Sequence, residues 1–409
     1  MTTTTLPAGA DAPGRGGQAD APVALAATGA IVLFALACFS LIDLRQGLLA
    51  LVGAGFGFVL YQASFSFAGG WRAAVTEGRT AGLRAQMLAV GLTTLCVMPL
   101  LDAGSVGGQT LTGAFGPVGV SLAVGATLFG FGMQLGGGCA SGTLYTVGGG
   151  STRMLLTLAS FVAGALIGTA HLPWWTAQYD IGVVQPARSL GLWPAIALQL
   201  LALATVAWLA RRWERRKRGT IAPLHRPPAG APALPLAQRL WRGAWPLAWA
   251  SVALAALGTA NLLLSGQPWS VTFAFNLWGA KLAGLAGLDV SGWEYWTWTW
   301  TLPAQALAGP ALAETTSVTN IGLILGALLA AGLAGRFAPV AHVPLGSAAA
   351  AIIGGLLMGY GARLAFGCNV GALLSGIASG SLHGWVWFGL AFLGSLAGIR
   401  ARGLFGLKG

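Results

Sequence analysis

Two cysteines of this chain stand in matching surroundings. GFGMQLGGGCASGTL runs from Gly130 to Leu144 and GYGARLAFGCNVGAL from Gly359 to Leu373, at an offset of 229 residues. Seven of the fifteen positions are identical, among them Cys139 with Cys368, Gly138 with Gly367 and Gly142 with Gly371. Glycine is abundant, at 64 of 409 residues, so its matches carry little weight. A cysteine falling on a cysteine when the chain has four carries much more, and marks an internal duplication.

The chemistry open to such a pair is transient hydrogen bonding to an anion. A neutral thiol donates without repelling negative charge, and backbone N–H groups at the start of a half-helix add fixed donors. Ser141, Thr143 and Asn369, beside the cysteines, bring hydroxyl and amide groups that can stand in for water. Lys281 and Arg363 are charges within or beside apolar segments, where a charge tends to face a cavity or a partner. Either would bias a path toward anions; the bland alternatives are a snorkelling Lys281 and an Arg363 that anchors a helix end. Cys38 and Cys96 lack the motif and read as inert core residues. No Cys-x-x-Cys or Cys/His spacing is present, so neither a structural zinc site nor any cofactor is expected.

The elements that must position these groups are membrane helices. Hydrophobic residues make up 56% of the chain and charged residues 8%, far below the ~25% charged residues of soluble domains. The mean hydropathy is +0.73. Apolar runs of about 20 residues suffice for helices crossing ~30 Å of hydrocarbon, whereas a porin-type barrel would show short alternating segments. The expected fold is an all-α polytopic membrane protein. Spans are expected at about 23–42, 47–68, 85–103, 117–138, 154–171 and 190–210, then at 245–265, 318–335, 345–367 and 382–399. Two pieces after the cysteines, 140–149 and 369–380, are too short and glycine-rich to cross.

Charge placement orients the spans. The net charge of +12 reflects 22 Lys and Arg, nine of them between Arg211 and Arg242. In an apolar chain this is the positive-inside pattern with anionic-lipid contact, not a nucleic-acid stripe. The division expected is a disordered tail at 1–22, a first transmembrane half at 23–210, a basic Pro-rich cytoplasmic linker at 211–243 and a second half at 244–409. Both termini fall in the cytoplasm if 270–288 enters and leaves from one side as a re-entrant segment. The two cysteine motifs then run in opposite directions, which makes the halves inverted and pseudo-symmetric, with broken helices at the centre. Broken helices in paired repeats are the best sequence pointer to a transport site. The aromatic stretch Trp293–Trp300 suits the opposite interface.

These motifs resemble the YeeE/YedE family of bacterial inner-membrane proteins, most strongly at GGGCASGTLYTVGGG (Gly136–Gly150), FAFNLWGAK (Phe273–Lys281) and GYGARLAFGCNVGALLSGIASGSLHGW (Gly359–Trp385). The resemblance implies an hourglass-shaped helical bundle that passes thiosulfate through a narrow centre by contacts with cysteine thiols. The matching positions are Cys139 and Cys368. A third family cysteine in an aromatic–Cys–aromatic setting corresponds to Ser66 in YQASFSFAGGWRA, so a relay of three thiols is not implied here. The family also includes members linked to selenium metabolism.

The leading expectation is therefore a permease of the bacterial inner membrane for thiosulfate or a related small sulphur anion, not an enzyme. Its expected path is Cys139, Cys368, Ser66, Lys281, Gly138, Gly142, Gly367, Gly371, Asn369, Ser141 and Arg363. The partners are the anion, the bilayer and, as a candidate, a cytoplasmic sulphur-carrier protein; nucleic acid is not among them. Two rivals stay open: a membrane-embedded thiol redox or sulphur-transfer protein, and a membrane anchor for a soluble sulphur carrier. No ATP-binding loop is present.

Overall fold

The computed structural model describes residues 19–227, 231, 234–298 and 303–407. Most of the tail expected at 1–22, parts of the linker and the end of the aromatic stretch lie outside the described residues. Helices α1 (Ala21–Leu41), α2 (Leu44–Gln62), α3 (Phe67–Thr76), α4 (Ala81–Asp102), α5 (Val120–Gly136), α6 (Ala140–Gly148) and α7 (Thr152–Thr176) build the first part. A small hairpin, Ser105–Val106 with Gln109–Thr110, follows α4. Short α8 (Pro186–Leu190) leads into α9 (Leu192–Arg218), and α10 (Leu236–Arg242) lies in the linker. The second part has α11 (Leu247–Ser265), α12 (Thr272–Leu285), α13 (Glu294–Thr297), α14 (Pro303–Ala308), α15 (Thr315–Leu333), α16 (Leu345–Leu364), a π-helical segment at Asn369–Gly376 and α17 (Leu382–Ala401).

Ten helical stretches among the described residues are long and apolar enough to cross a membrane, and the protein is a multi-pass membrane protein. The stretch expected at 270–288 is not one of them: α12 is a 14-residue helix. The span expected to end at 210 continues as helix to Arg218, because RRWERRKR is made of good helix formers and its charges need only leave the bilayer. Helix α1 begins at Ala21, capped by the Asp20 carboxylate, so the last residues of the expected tail are ordered.

Without a hydrophobic drive between helices in lipid, small residues allow the close approach that holds them. A Cβ added at Gly53 or Gly57 of α2 would strike the carbonyls of Thr319 and Leu323 on α15, and one at Gly130 of α5 would strike Ala391 on α17. The same contacts give direction. Gly125 faces Gly361–Ala365 while Gly132 faces Gly354–Met358, so α5 and α16, the helices leading into the two cysteines, are antiparallel. Helix α7 runs parallel to α16, with Gly164 against Leu356 and Gly168 against Arg363. Helix α17 runs parallel to α5, with Gly394 against Thr127 and Gly398 against Phe131.

Candidate functional site

Three helix breaks share one local design. In each, a residue with left-handed backbone stands two positions before a small nucleophilic side chain, and a glycine stands three positions after it. The triplets are Ser64 (φ 48°), Ser66 and Gly69; Gly137 (φ 90°), Cys139 and Gly142; Phe366 (φ 53°), Cys368 and Gly371. The left-handed residue turns the chain, and the nucleophile becomes the N-cap of the next helical segment. Ser66 Oγ accepts from Gly69 N at 2.9 Å, and Cys139 Sγ accepts from Gly142 N at 3.4 Å. The unpaired N–H groups of such a helix start carry partial positive charge.

Cys139 lies 3.5 Å from Ser141 Oγ, and Thr143 Oγ1 donates to the Cys139 carbonyl at 2.9 Å. Gly138 leaves the approach to the backbone of Gly142 and Thr143 open; a Cβ there would sit 3.2 Å from Gly142 C. Cys368 has no capping bond. The two thiols are 1% and 0% exposed and share one buried cluster. Beside Cys368, Asn369 is fully buried with neither amide atom hydrogen-bonded among the described residues. Leaving a buried amide unpaired costs ~1–3 kcal/mol, and both amide atoms of Asn369 stand beside the Cys368 turn with that capacity unspent among the described residues. Ser375 ties the π-helical segment down, donating to the Trp269 carbonyl at 2.6 Å, and Trp269 in turn stacks on Phe56 at 3.7 Å.

Two cavities approach this closed centre. One, of about 150 Å³, is lined by Ser64, Ser66, Arg72, Gly137, Tyr145 and Thr146, and by Leu247 at the start of α11. The other, of about 990 Å³, is lined by Asn276, Tyr295, Arg363, Gly367 and Gly371, and by Ser265 at the end of α11. Leu247 and Ser265 are the two ends of α11, so the cavities lie toward opposite ends of this apolar helix; the first is here the linker side and the second the far side. Arg363 is on the far side. With the Asn276 amide oxygen turned toward it, Arg363 donates from Nη1 and Nε at 2.8 and 3.2 Å, and its guanidinium lies 3.9 Å from the centre of the Tyr295 ring.

The expected path residues thus meet around the two turns and cavities, with one departure. Lys281 Nζ donates to the carbonyls of Leu307 and Gly309 at 2.8 and 2.6 Å and lines neither cavity. It braces the segment after α14, whose Gly309 forms part of the far-side rim. The sequence reading missed Arg72, Tyr145, Asn276 and Trp269. Asn276 had a signal, an amide inside the FAFNLWGAK stretch; the others became visible only once the chain was folded.

A family model described as sulphur transport matches residues 62–397. Among curated proteins, the probable transporter YedE of Escherichia coli is 32% identical over 154 residues, 37% of this chain and 36% of its own. The chain thus matches about a third of the length of that relative. The thiosulfate transporter TsuA of Spirochaeta thermophila is 28% identical over 64% of this chain and 72% of its own. TsuA of Escherichia coli is 24% identical over 83% of this chain and 89% of its own.

Proposed function

Because this chain belongs to the sulphur-transport family, we propose that it imports thiosulfate or a related small sulphur-containing anion across the bacterial inner membrane, handing it past Cys139 and Cys368. The observation that carries this reading is the convergence of two opposed cavities on two buried thiol turns. Two relatives bear the name thiosulfate transporter and match most of their own length.

On this reading the anion collects in the far-side cavity, drawn by Arg363, and sheds water there. Asn369, the two thiols and the N–H groups at the helix starts replace that water one contact at a time. None of these groups carries a full charge, so none becomes a trap. Ser66 is the last of the three capping side chains, on the linker side. The linker side is the cytoplasm by the positive-inside rule, since Arg72, Arg79, Arg84, Arg153 and the run Arg211–Arg218 all gather there. Both termini then face the cytoplasm, and a soluble sulphur carrier would collect the anion at that face. The antiparallel course of α5 and α16 supports halves that are inverted copies.

The test is uptake of 35S-labelled thiosulfate into cells lacking other sulphur importers. Wild type takes up the label, and Cys139→Ala at equal membrane abundance does not. Full uptake by Cys139→Ala would overturn the thiol path. Absence of uptake by the wild type would overturn thiosulfate as substrate.

A further inference from the structure

The linker-side cavity holds one cation that the fold does not use. Arg79 pairs with Glu77 at 2.5 Å, and Arg84 pairs with buried Glu214 at 2.8 Å while also donating to the Ala222 carbonyl. Arg153 spends its guanidinium on Gly136 O at 2.6 Å, Leu135 O at 2.7 Å and Ser347 Oγ at 2.8 Å. Arg402 donates to Gln134 O at 2.7 Å. Arg72 also lines the cavity, yet among the described residues its guanidinium has no hydrogen-bond or ion-pair partner. Arg153 and Arg402 meet at the end of α5, and Gly137, the next residue, lines the cavity together with Arg72.

Their roles separate by what they touch. Helix α5 ends at Gly136, immediately before the Cys139 turn, and its last carbonyls present the negative end of the helix dipole to anything leaving that turn. Arg153 and Arg402 bond the carbonyls of Gln134, Leu135 and Gly136 and cancel that field. Arg72 is then the surplus positive charge, in a cavity that Ser66 and Tyr145 also line, while Thr146 Oγ1 is spent on the Gly142 carbonyl. We propose that Arg72 is the cation of a second anion site, on the linker side of the constriction, which receives the permeating dianion after Cys139. This rests on the transport reading above and adds the residue that draws the anion out of the thiol turn.

An exit site and an uptake-side site differ in kinetics. Arg72→Gln is expected to lower the maximal rate of thiosulfate uptake at least tenfold with the external KM little changed, and Arg72→Lys to recover most of it. Arg363→Gln, on the far side, is expected to raise the external KM instead. Arg216→Gln, an exposed charge at the end of α9, serves as the control and keeps the wild-type rate. Wild-type kinetics in Arg72→Gln, or a raised KM at unchanged maximal rate, would overturn the proposal. If the wild type imports no thiosulfate, the substrate reading fails, and the site is then judged on purified protein in detergent. There thiosulfate or sulfate should raise the melting temperature of wild type more than that of Arg72→Gln, which keeps only the Arg363 site; equal stabilisation of the two overturns the site.

Discussion

The turns at Cys139 and Cys368 share the pattern Gly-Cys-x-x-Gly and end in different states. Cys139 caps a regular helix, its sulphur held by Gly142 N–H and adjacent to Ser141. Cys368 opens a π-helical segment, has no capping bond and is followed by Val370 where the first copy has Ser141. π-Helical turns are rare and concentrate at functional sites. One thiol is oriented by its surroundings; the other sits beside Asn369, whose hydrogen-bonding capacity is unspent. On the proposed path, the difference between the two turns would divide the work into an oriented thiol and an adaptable neighbourhood.

The sharpest way to break that division is to remove each thiol in turn. Cys139→Ala should lower uptake by about a hundredfold or more, and Cys368→Ala by about tenfold, because Asn369 remains to meet the anion. Uptake measured at matched abundance decides it, and a reversed order would mean the π-helical turn is the dominant contact. Next in size is Asn369→Leu. Removing an unpaired buried amide relieves a penalty of ~1–3 kcal/mol, so the melting temperature should hold or rise while uptake falls about tenfold. A lowered melting temperature would show that Asn369 is satisfied within the fold.

Ser66→Cys places a thiol at the third turn, on the same capping position. It should raise uptake about twofold, and a decrease would show that the hydroxyl is preferred there. The smallest effect is expected at Glu314, which lines the far-side cavity. Burial pushes its carboxyl up, against hydrogen bonds from Thr316 and Ser317 that pull it down. The raised value brings protonation nearer to neutral pH, and a neutral carboxyl no longer repels an arriving dianion. The external KM should therefore fall about twofold on acidification from about pH 7.5 to 5.5, and Glu314→Gln should show the lower KM throughout. A KM that ignores both changes would place the carboxylate out of the anion's reach.

Much of this molecule was legible in its sequence because membrane helices must be apolar and long, and because a repeated cysteine is hard to mistake. The repeated Gly-Cys-x-x-Gly marks both turns in the sequence itself. The third turn was harder to read. Its cap is a serine, and its left-handed residue is Ser64, a type that does not advertise that conformation as Gly137 does. The resemblance of YQASFSFAGGWRA to a family setting pointed to Ser66, but only the fold shows the shared backbone. Lys281 was misleading for a different reason: a lysine in an apolar segment must find partners, and sequence cannot say whether they are a passing anion or two carbonyls 26 and 28 residues further along. The cavities, and the pairing that leaves Arg72 over, are properties of distant segments brought together.

The glycines on which the helices meet have a consequence for the gene as well as for the protein. At Gly53, Gly57, Gly130, Gly164, Gly326 and Gly394 the neighbouring backbone occupies the place where any other residue would begin its side chain. Adding even one methyl there forces helices apart that have no slack to give. Every missense change at these codons is therefore a structural change, and no conservative replacement exists. A chain built this way is fragile to mutation along its helix seams.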